Sequence, residues 1–185
     1  YDYETLGYGL RSIGARLESL VVEDLAQESE RCLMADHVCS HFFRIGSLAL
    51  VKKDEDFVMQ IMLNLDFMGS MLAKQGLEES VLSILNFVGN TGISAAGQKM
   101  ERTAFEAARC LKSLGTMAAG CQLEDASRAG AYYLSEVGIE SAEQEMENTA
   151  AFAMTNLEAL MDEASERGME EVAKLCQTSI TEVRE

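Results

Sequence analysis

A short motif that returns at a fixed distance constrains the fold of this chain more than any other feature. Met100 to Ala104 reads Met-Glu-Arg-Thr-Ala, and 46 residues later Met146 to Ala150 reads Met-Glu-Asn-Thr-Ala. Leu111 and Leu114 keep the same interval, because Leu157 and Leu160 follow the second copy, and Gly69 precedes Gly115 by that interval. Recurrence with a period of this size is typical of stacked structural repeats.

The stretch from Met100 to Gly120 has the pattern of an amphipathic helix. Its small apolar residues lie three or four apart, and its charged residues occupy the remaining positions. The chain contains no proline, and runs that alternate apolar and polar residues as strands do are absent. We therefore expect an all-α protein.

The apolar periodicity predicts about eight helices in one domain that covers residues 1–185. Their expected ranges are about 1–25, 29–51, 55–75, 78–95, 100–120, 123–142, 146–167 and 170 onward. Connections this short force successive helices to fold back on each other. The sequence thus favours a short right-handed αα-solenoid of antiparallel helices, and a closed helical bundle is the alternative. Gly76, Gly120 and Gly168 mark similar junctions, at which a left-handed residue is expected to end a helix.

A glycine follows an apolar pair in most of the predicted helices. A glycine in mid-helix costs about 0.8–1 kcal/mol relative to alanine, so repeated glycines require a packing reason. We expect a neighbouring helix to approach closely at each of them, and looser packing where Met161 takes the place of glycine. The glycines are Gly14, Gly46, Gly69, Gly89, Gly115 and Gly138.

The segment from Leu111 to Ala126 has the pattern Leu-x-x-Leu-Gly-x-x-Ala-Ala-Gly-x-x-Leu-Glu-Asp-Ala. This pattern resembles the helical-hairpin repeats of the HEAT-like and armadillo-like superfamily. More narrowly, it is similar to archaeal and bacterial repeats of the Leu-Gly-x-Ile-Gly, Gly-Leu-Glu-Glu-Ala type, some of which are attached to membrane segments. The resemblance covers about residues 30–185, and it implies stacked helical hairpins without shared catalytic residues.

The charge balance narrows the range of partners. The chain has 31 acidic and 15 basic residues, a formal net charge of −16, which disfavours nucleic acid and anionic membrane surfaces. It suits a basic protein or peptide partner. Five cysteines and no signal peptide indicate a reducing, cytoplasmic location. The start at Tyr1 suggests a domain cut from a longer protein. One possibility is the cytoplasmic domain of a membrane protein.

Candidates for chemistry are few. His37 and His41 are four residues apart on a predicted helix, a spacing at which two histidines can share a metal. No glutamate stands between them as in His-Glu-x-x-His, and Cys39 lies on another face, so we expect a partly exposed or capping histidine pair and no metal site. We also expect no catalytic residues, no enzymatic activity and no cofactor.

Methionines and acids supply the candidate contacts with a partner. Methionine side chains on the third predicted helix are adaptable enough for a binding surface, although core filling is their usual role. The acids near the carboxyl-terminal end of the chain suit a basic partner. The candidates are Met59, Met62, Asn64, Asp66, Met71, Glu158, Asp162 and Glu163.

The sequence thus indicates a scaffold module that binds a partner peptide or helix on a concave helical face. Two alternatives stay open. One is a helical bundle that binds a small molecule or a metal, and the other is self-association through the nearly uncharged region 57–98.

Overall fold

The computed structural model describes residues 28–184, and it describes side chains from residue 35 onward. These residues form seven α-helices, which confirms the all-α prediction. The helices are α1 Glu28–Val51, α2 Glu55–Lys74, α3 Glu78–Gly97, α4 Glu101–Gly120, α5 Glu124–Glu143, α6 Glu147–Glu166 and α7 Glu170–Arg184. The helix predicted at about residues 1–25, with its Gly14, lies outside the described residues.

The repeat of the structure is one helix and one connector. From α2 to α7, each helix begins 23 residues after the preceding one, always with a glutamate. The 46-residue period in the sequence therefore corresponds to two consecutive helices. A glutamate in the first turn is favourable because the amino-terminal end of a helix carries a partial positive charge.

The three-residue connectors all have the same backbone conformation. Their middle residue is left-handed, and the next residue donates its N–H back into the helix, as Leu77 N does to Leu72 O at 3.0 Å. This is a Schellman motif, and in five of the six connectors the residue that closes it is apolar and buried, whereas the half-buried Asp54 closes the first. The left-handed residues are Lys53, Gly76, Lys99, Gln122, Glu145 and Gly168. The predictions for Gly76 and Gly168 are confirmed, whereas Gly120 is the last residue of α4 and Gln122 takes the left-handed conformation.

The helices form an open stack of two layers. Among the described residues, every well-packed pair joins a helix to the next one or to the one after it. A closed bundle would also require contacts between the first and last helices, so the helices within residues 28–184 form an open αα-solenoid. The helices α1, α3, α5 and α7 make one layer, which we call the odd layer, and α2, α4 and α6 make the even layer. The right-handed sense of the solenoid stays a prediction.

Mid-helix glycines bring neighbouring helices close together. The glycines that share one repeat position are Gly46, Gly69, Gly92, Gly115 and Gly138, so the equivalent residue in α3 is Gly92 and not Gly89. The expected close approach of a neighbouring helix also holds at Gly89, because a Cβ added there would meet the side chain of Tyr133 in α5. A Cβ added to Gly130 of α5 would lie 2.8 Å from the Cα of Gly115 in α4. The predicted close approach of two backbones is confirmed at this crossing.

Glutamates at the helix starts also link helices within a layer. Glu55 of α2 accepts hydrogen bonds from the backbone N–H and the hydroxyl of Thr103 in α4, both at 3.0 Å. Glu78 of α3 accepts from the backbone N–H of Ala126 in α5 at 3.1 Å. The two backbone N–H groups have no partner within their own helices, so these bonds satisfy them and join α2 to α4 and α3 to α5.

Candidate functional site

The predicted contact residues on α2 have different environments. Met59, Asn64, Asp66 and Met71 are half-buried, whereas Met62 is fully buried. Met62 packs in the core, and its backbone carbonyl accepts a weak hydrogen bond from the Cys110 thiol at 3.6 Å. Met62 therefore belongs to the core and not to a binding surface, because apolar side chains on the inner side of α2 face α4.

Asn64 is engaged within its own helix. Its side-chain amide donates to the backbone carbonyl of Gln60 at 2.6 Å.

On the outer side of the same helix, Leu63 and Phe67 are exposed by 43% and 51%. These two side chains lie four residues apart and so are neighbours on one face. The exposed surface of α2 thus includes a small apolar patch at Leu63 and Phe67, beside the exposed polar residues of the helix.

Asp66 belongs to a charged cluster that spans α2 and α4. Arg109 forms a bidentate pair with Glu106, at 2.7 and 3.0 Å, and a longer contact of 3.6 Å with Asp66. Burial raises the pKa of Asp66, Ser113 and Arg109 oppose the rise, and Glu106 adds to it. Arg109 compensates Asp66 only in part, because its guanidinium is mainly bound to Glu106.

The predicted acidic contacts lie on α6, at a distance from those on α2. Glu158 pairs with Arg184 and Glu163 with Arg167, each at 3.0 Å, and Asp162 is exposed. The helix α4 lies between α2 and α6 in the even layer. The eight predicted residues therefore form two separate groups and not one site.

An open groove of about 460 Å³ lies between α1 and α3 on the odd layer. Its apolar lining includes Phe43 and Phe87, whose rings stack with centroids 4.6 Å apart. Its polar lining consists of hydroxyl and amide side chains, and among the residues that the structure describes no charged side chain contributes to it. The lining residues are Phe43, Ser47, Leu50, Ser83, Asn86, Phe87, Asn90 and Thr91.

The amides of the groove differ in their hydrogen bonding. The side chain of Asn90 donates to the backbone carbonyl of Asn86 at 2.7 Å. The exposed side chain of Asn86 makes no hydrogen bond within residues 35–184. An amide offers a donor and an acceptor together, so Asn86 can pair with a peptide group of a bound chain.

This groove was not predicted from the sequence. The signal available was the absence of charge between Ser80 and Gln98, which lies within the region 57–98 that we considered for self-association. That pattern does not reveal which residues of α1 lie opposite. Phe43 and Phe87 are 44 residues apart in the chain, and only the stacking of α1 on α3 brings them together.

Three of the four cysteines whose side chains the structure describes are buried and poorly placed for reactivity. Cys39, Cys110 and Cys176 are buried, and burial raises the pKa of Cys39 to about 12 and that of Cys176 to about 12. The pKa of Cys110 also rises because of burial. Within the described part of the chain, no group of three or more histidine, cysteine or acidic side chains could hold a metal ion.

None of the seven described helices is long and apolar enough to cross a membrane. No protein-family model matches the sequence, and no curated protein matches it. The chain is similar to a solved structure named "DHF46 filament", with a TM-score of 0.66 and 12% sequence identity over 94% of this chain and 97% of that one. At this identity the similarity concerns the fold, and it supports a helical-repeat architecture.

Proposed function

We propose that this chain is a non-catalytic interaction module that binds a peptide or helix of a partner protein in the groove between α1 and α3. The observation that carries the proposal is the groove itself. It combines an aromatic and aliphatic lining with unpaired amide capacity at Asn86, on a chain whose net charge is −16. Binding sites of this kind are concave and mostly apolar, with a few polar groups that fix orientation.

The groove defines the chemistry of its occupant. Phe43, Leu50 and Phe87 suit an aliphatic or aromatic side chain as the anchor, because such groups gain free energy when they leave water. The absence of charge in the described lining disfavours a charged anchor, which would lose its hydration without gaining a partner. Outside the anchor, basic residues are favoured by the acidic balance of the whole chain.

The partner contacts predicted from the sequence on α2 and α6 do not form part of the proposed binding groove. Met59 and Met71 on α2, with Asp162 on α6, lie on helices of the even layer. They are therefore separate from the groove, which belongs to α1 and α3. The acids of α6 steer a basic partner at long range, and this influence weakens as the salt concentration rises.

The test begins with selection of ligands for the wild-type chain from a random peptide library. The selected peptides are then measured against an Asn86→Arg variant by isothermal titration calorimetry. Asn86 is exposed, so the substitution leaves the core unchanged while it places a bulky cation at the groove. We expect at least about tenfold weaker binding, the effect of losing a central contact.

The matched control is Thr155→Arg. Thr155 is exposed on α6 and occupies the same repeat position as Asn86, so the change in charge and helix position is identical. We expect this variant to bind the selected peptides as the wild type does. Equal affinity for the wild-type and Asn86→Arg chains, or a selection that enriches no peptide, would overturn the proposal.

A further inference from the structure

His37 and His41 lie on the exposed side of α1, and their side chains converge. Both residues are solvent-exposed, and their Nε2 atoms are 3.3 Å apart. The two rings meet edge to face, with centroids 4.8 Å apart. Since the residues are four apart on a helix, this proximity is fixed by the helix and does not depend on tertiary packing.

The separation of the two nitrogens fits a shared ion. A divalent zinc ion binds histidine nitrogen at about 2.0–2.1 Å in tetrahedral geometry. Two nitrogens 3.3 Å apart, each at about 2.05 Å from one ion, subtend an angle of about 107° at that ion. This angle is close to tetrahedral, so both ligands can bind without a change in the helix backbone.

The neighbouring polar side chains of α1 are not placed as further metal ligands, since Ser40 and Asp36 have other hydrogen-bond partners and Arg44 is a cation. The two histidines would therefore be the protein ligands, and water would fill the other coordination positions of the ion. Ser40 donates to the backbone carbonyl of His37 at 2.7 Å. The carboxylate of Asp36 accepts a hydrogen bond from Ser80 at 3.0 Å, and the exposed Arg44 lies three residues after His41. Neutral imidazole has one free lone pair, so metal binding requires both rings to carry their proton on Nδ1.

Contrary to the expectation from the sequence, we propose that His37 and His41 form a surface site for one divalent transition-metal ion, of the type that imidazole prefers, such as Zn²⁺ or Ni²⁺. In the metal-free protein the two Nε2 atoms lie within hydrogen-bonding distance of each other. In the bound form the ion takes the place of any proton on Nε2, and that proton moves to Nδ1 of the same ring. This site lies on α1 away from the lining of the groove, and it is independent of the proposed function.

The test is calorimetric titration of the chelator-treated chain with zinc chloride and, separately, with nickel chloride. We expect one ion per wild-type chain and binding about 100-fold weaker in both His37→Gln and His41→Asn, because each variant removes one of two linked ligands. Thermal unfolding gives a second readout. The metal should raise the Tm of the wild type and not that of the variants, since it binds the folded helix preferentially.

Two controls separate this site from other sources of binding. The variant Cys121→Ser removes a half-buried thiol that is the more accessible of the described cysteines, and it should bind the metal as the wild type does. Magnesium prefers oxygen ligands and should not bind the pair. Wild-type affinity in His41→Asn, or no binding of zinc or nickel to the wild type, would overturn the proposal.

Discussion

The helices α3 and α4 differ in charge at the same three outward-facing repeat positions. In α3 these positions hold Ser83, Asn86 and Asn90, which line the groove, and in α4 they hold Glu106, Arg109 and Ser113, which belong to the charged cluster. The two sets are 23 residues apart in the sequence. The repeat thus fixes which positions point outward and leaves their chemistry free to differ between the layers.

The buried positions of the same two helices are alike. Val88 in α3 and Leu111 in α4 occupy one repeat position, and both are completely buried. Gly92 and Gly115 occupy another, and both permit close helix contacts. An array of stacked repeats needs similar inner surfaces, because each helix packs on two neighbours in the same manner. Outer surfaces do not pack on a neighbouring helix, so their side chains can differ from repeat to repeat. Such differences can give the protein specificity for a binding partner.

The largest effect is expected where the two layers touch. In Gly130→Ala the new methyl group would meet the Gly115 backbone at 2.8 Å, a contact that neither helix can relieve by a side-chain rotation. We expect a loss of about 3 kcal/mol in the free energy of unfolding, at the upper end for overpacking, measured by urea denaturation.

The control for this variant is Gly120→Ala. A Cβ at Gly120, the last residue of α4, would have its nearest neighbour at 4.0 Å. This change should stabilise the protein by about 0.4–1 kcal/mol, because alanine restricts the unfolded chain. If Gly130→Ala were as stable as the wild type, the two layers would not be in backbone contact at this crossing.

An intermediate effect is expected from the aromatic pairs that link neighbouring helices within each layer. Phe43 and Phe87 stack in the odd layer, and Phe105 and Phe152 meet at a tilt in the even layer, with centroids 4.6 Å apart in both pairs. Double-mutant cycles with alanine should give a coupling energy of about 1 kcal/mol for each pair. Both cycles are measured by chemical denaturation.

The aromatic pairs also distinguish the layers in binding. Peptides selected as described above should lose affinity for Phe87→Ala and keep it for Phe105→Ala. Equal losses in both variants would indicate that truncation disturbs the whole array, and that the odd layer has no special role.

The smallest effect is expected at Asp66. Its pKa is raised in the folded protein, mainly by burial, so the folded state binds a proton more readily than the unfolded state. The stability of the protein should therefore fall as the pH rises from the ordinary aspartate pKa to the raised value, and the ionised group should cost stability above that range. Asp66→Asn should remove this cost and stabilise the protein at pH 7 by less than about 1 kcal/mol.

Thermal unfolding of the wild type and Asp66→Asn between pH 3 and pH 7 checks the sign. The difference in stability between the two proteins should grow as the pH rises, and it should disappear at the acid end. The opposite trend, with Asp66→Asn less stable at pH 7, would show that the 3.6 Å contact with Arg109 outweighs the effect of burial.

Much of the fold could be predicted because the relevant signals are local. The apolar period of the helices, the glycine at Gly76 and the glutamates after each connector are readable within one repeat. The repeat position in α3 was assigned wrongly because Leu85 and Val88 place Gly89 in the apolar-x-x-apolar-Gly pattern, whereas the polar Thr91 precedes Gly92. The constant 23-residue spacing of the helix starts from α2 to α7 identifies Gly92, and this regularity is clear only when the helix ends are known.

The candidate site could be predicted only in part. Methionines of α2 were correctly placed on an apolar helix, but whether Met62 faces inward or outward depends on where α4 packs. The role of the α6 acids as contacts with a basic partner stays a prediction, and their separation from α2 depends on the position of α4 between them. The helix period gives the angle between side chains on one helix and carries no information about the helix beside it.

The sequence by itself determined that this chain is a helical array with small residues at its crossings, since these properties follow from patterns within one helix and its repeat. It also placed His37 and His41 on one side of α1. The tertiary structure alone decided that the array is open, that Gly115 meets Gly130, and that Phe43 lies against Phe87 beside an uncharged groove. These features join residues on different helices, and their geometry depends on how the helices stack rather than on any local preference of the chain.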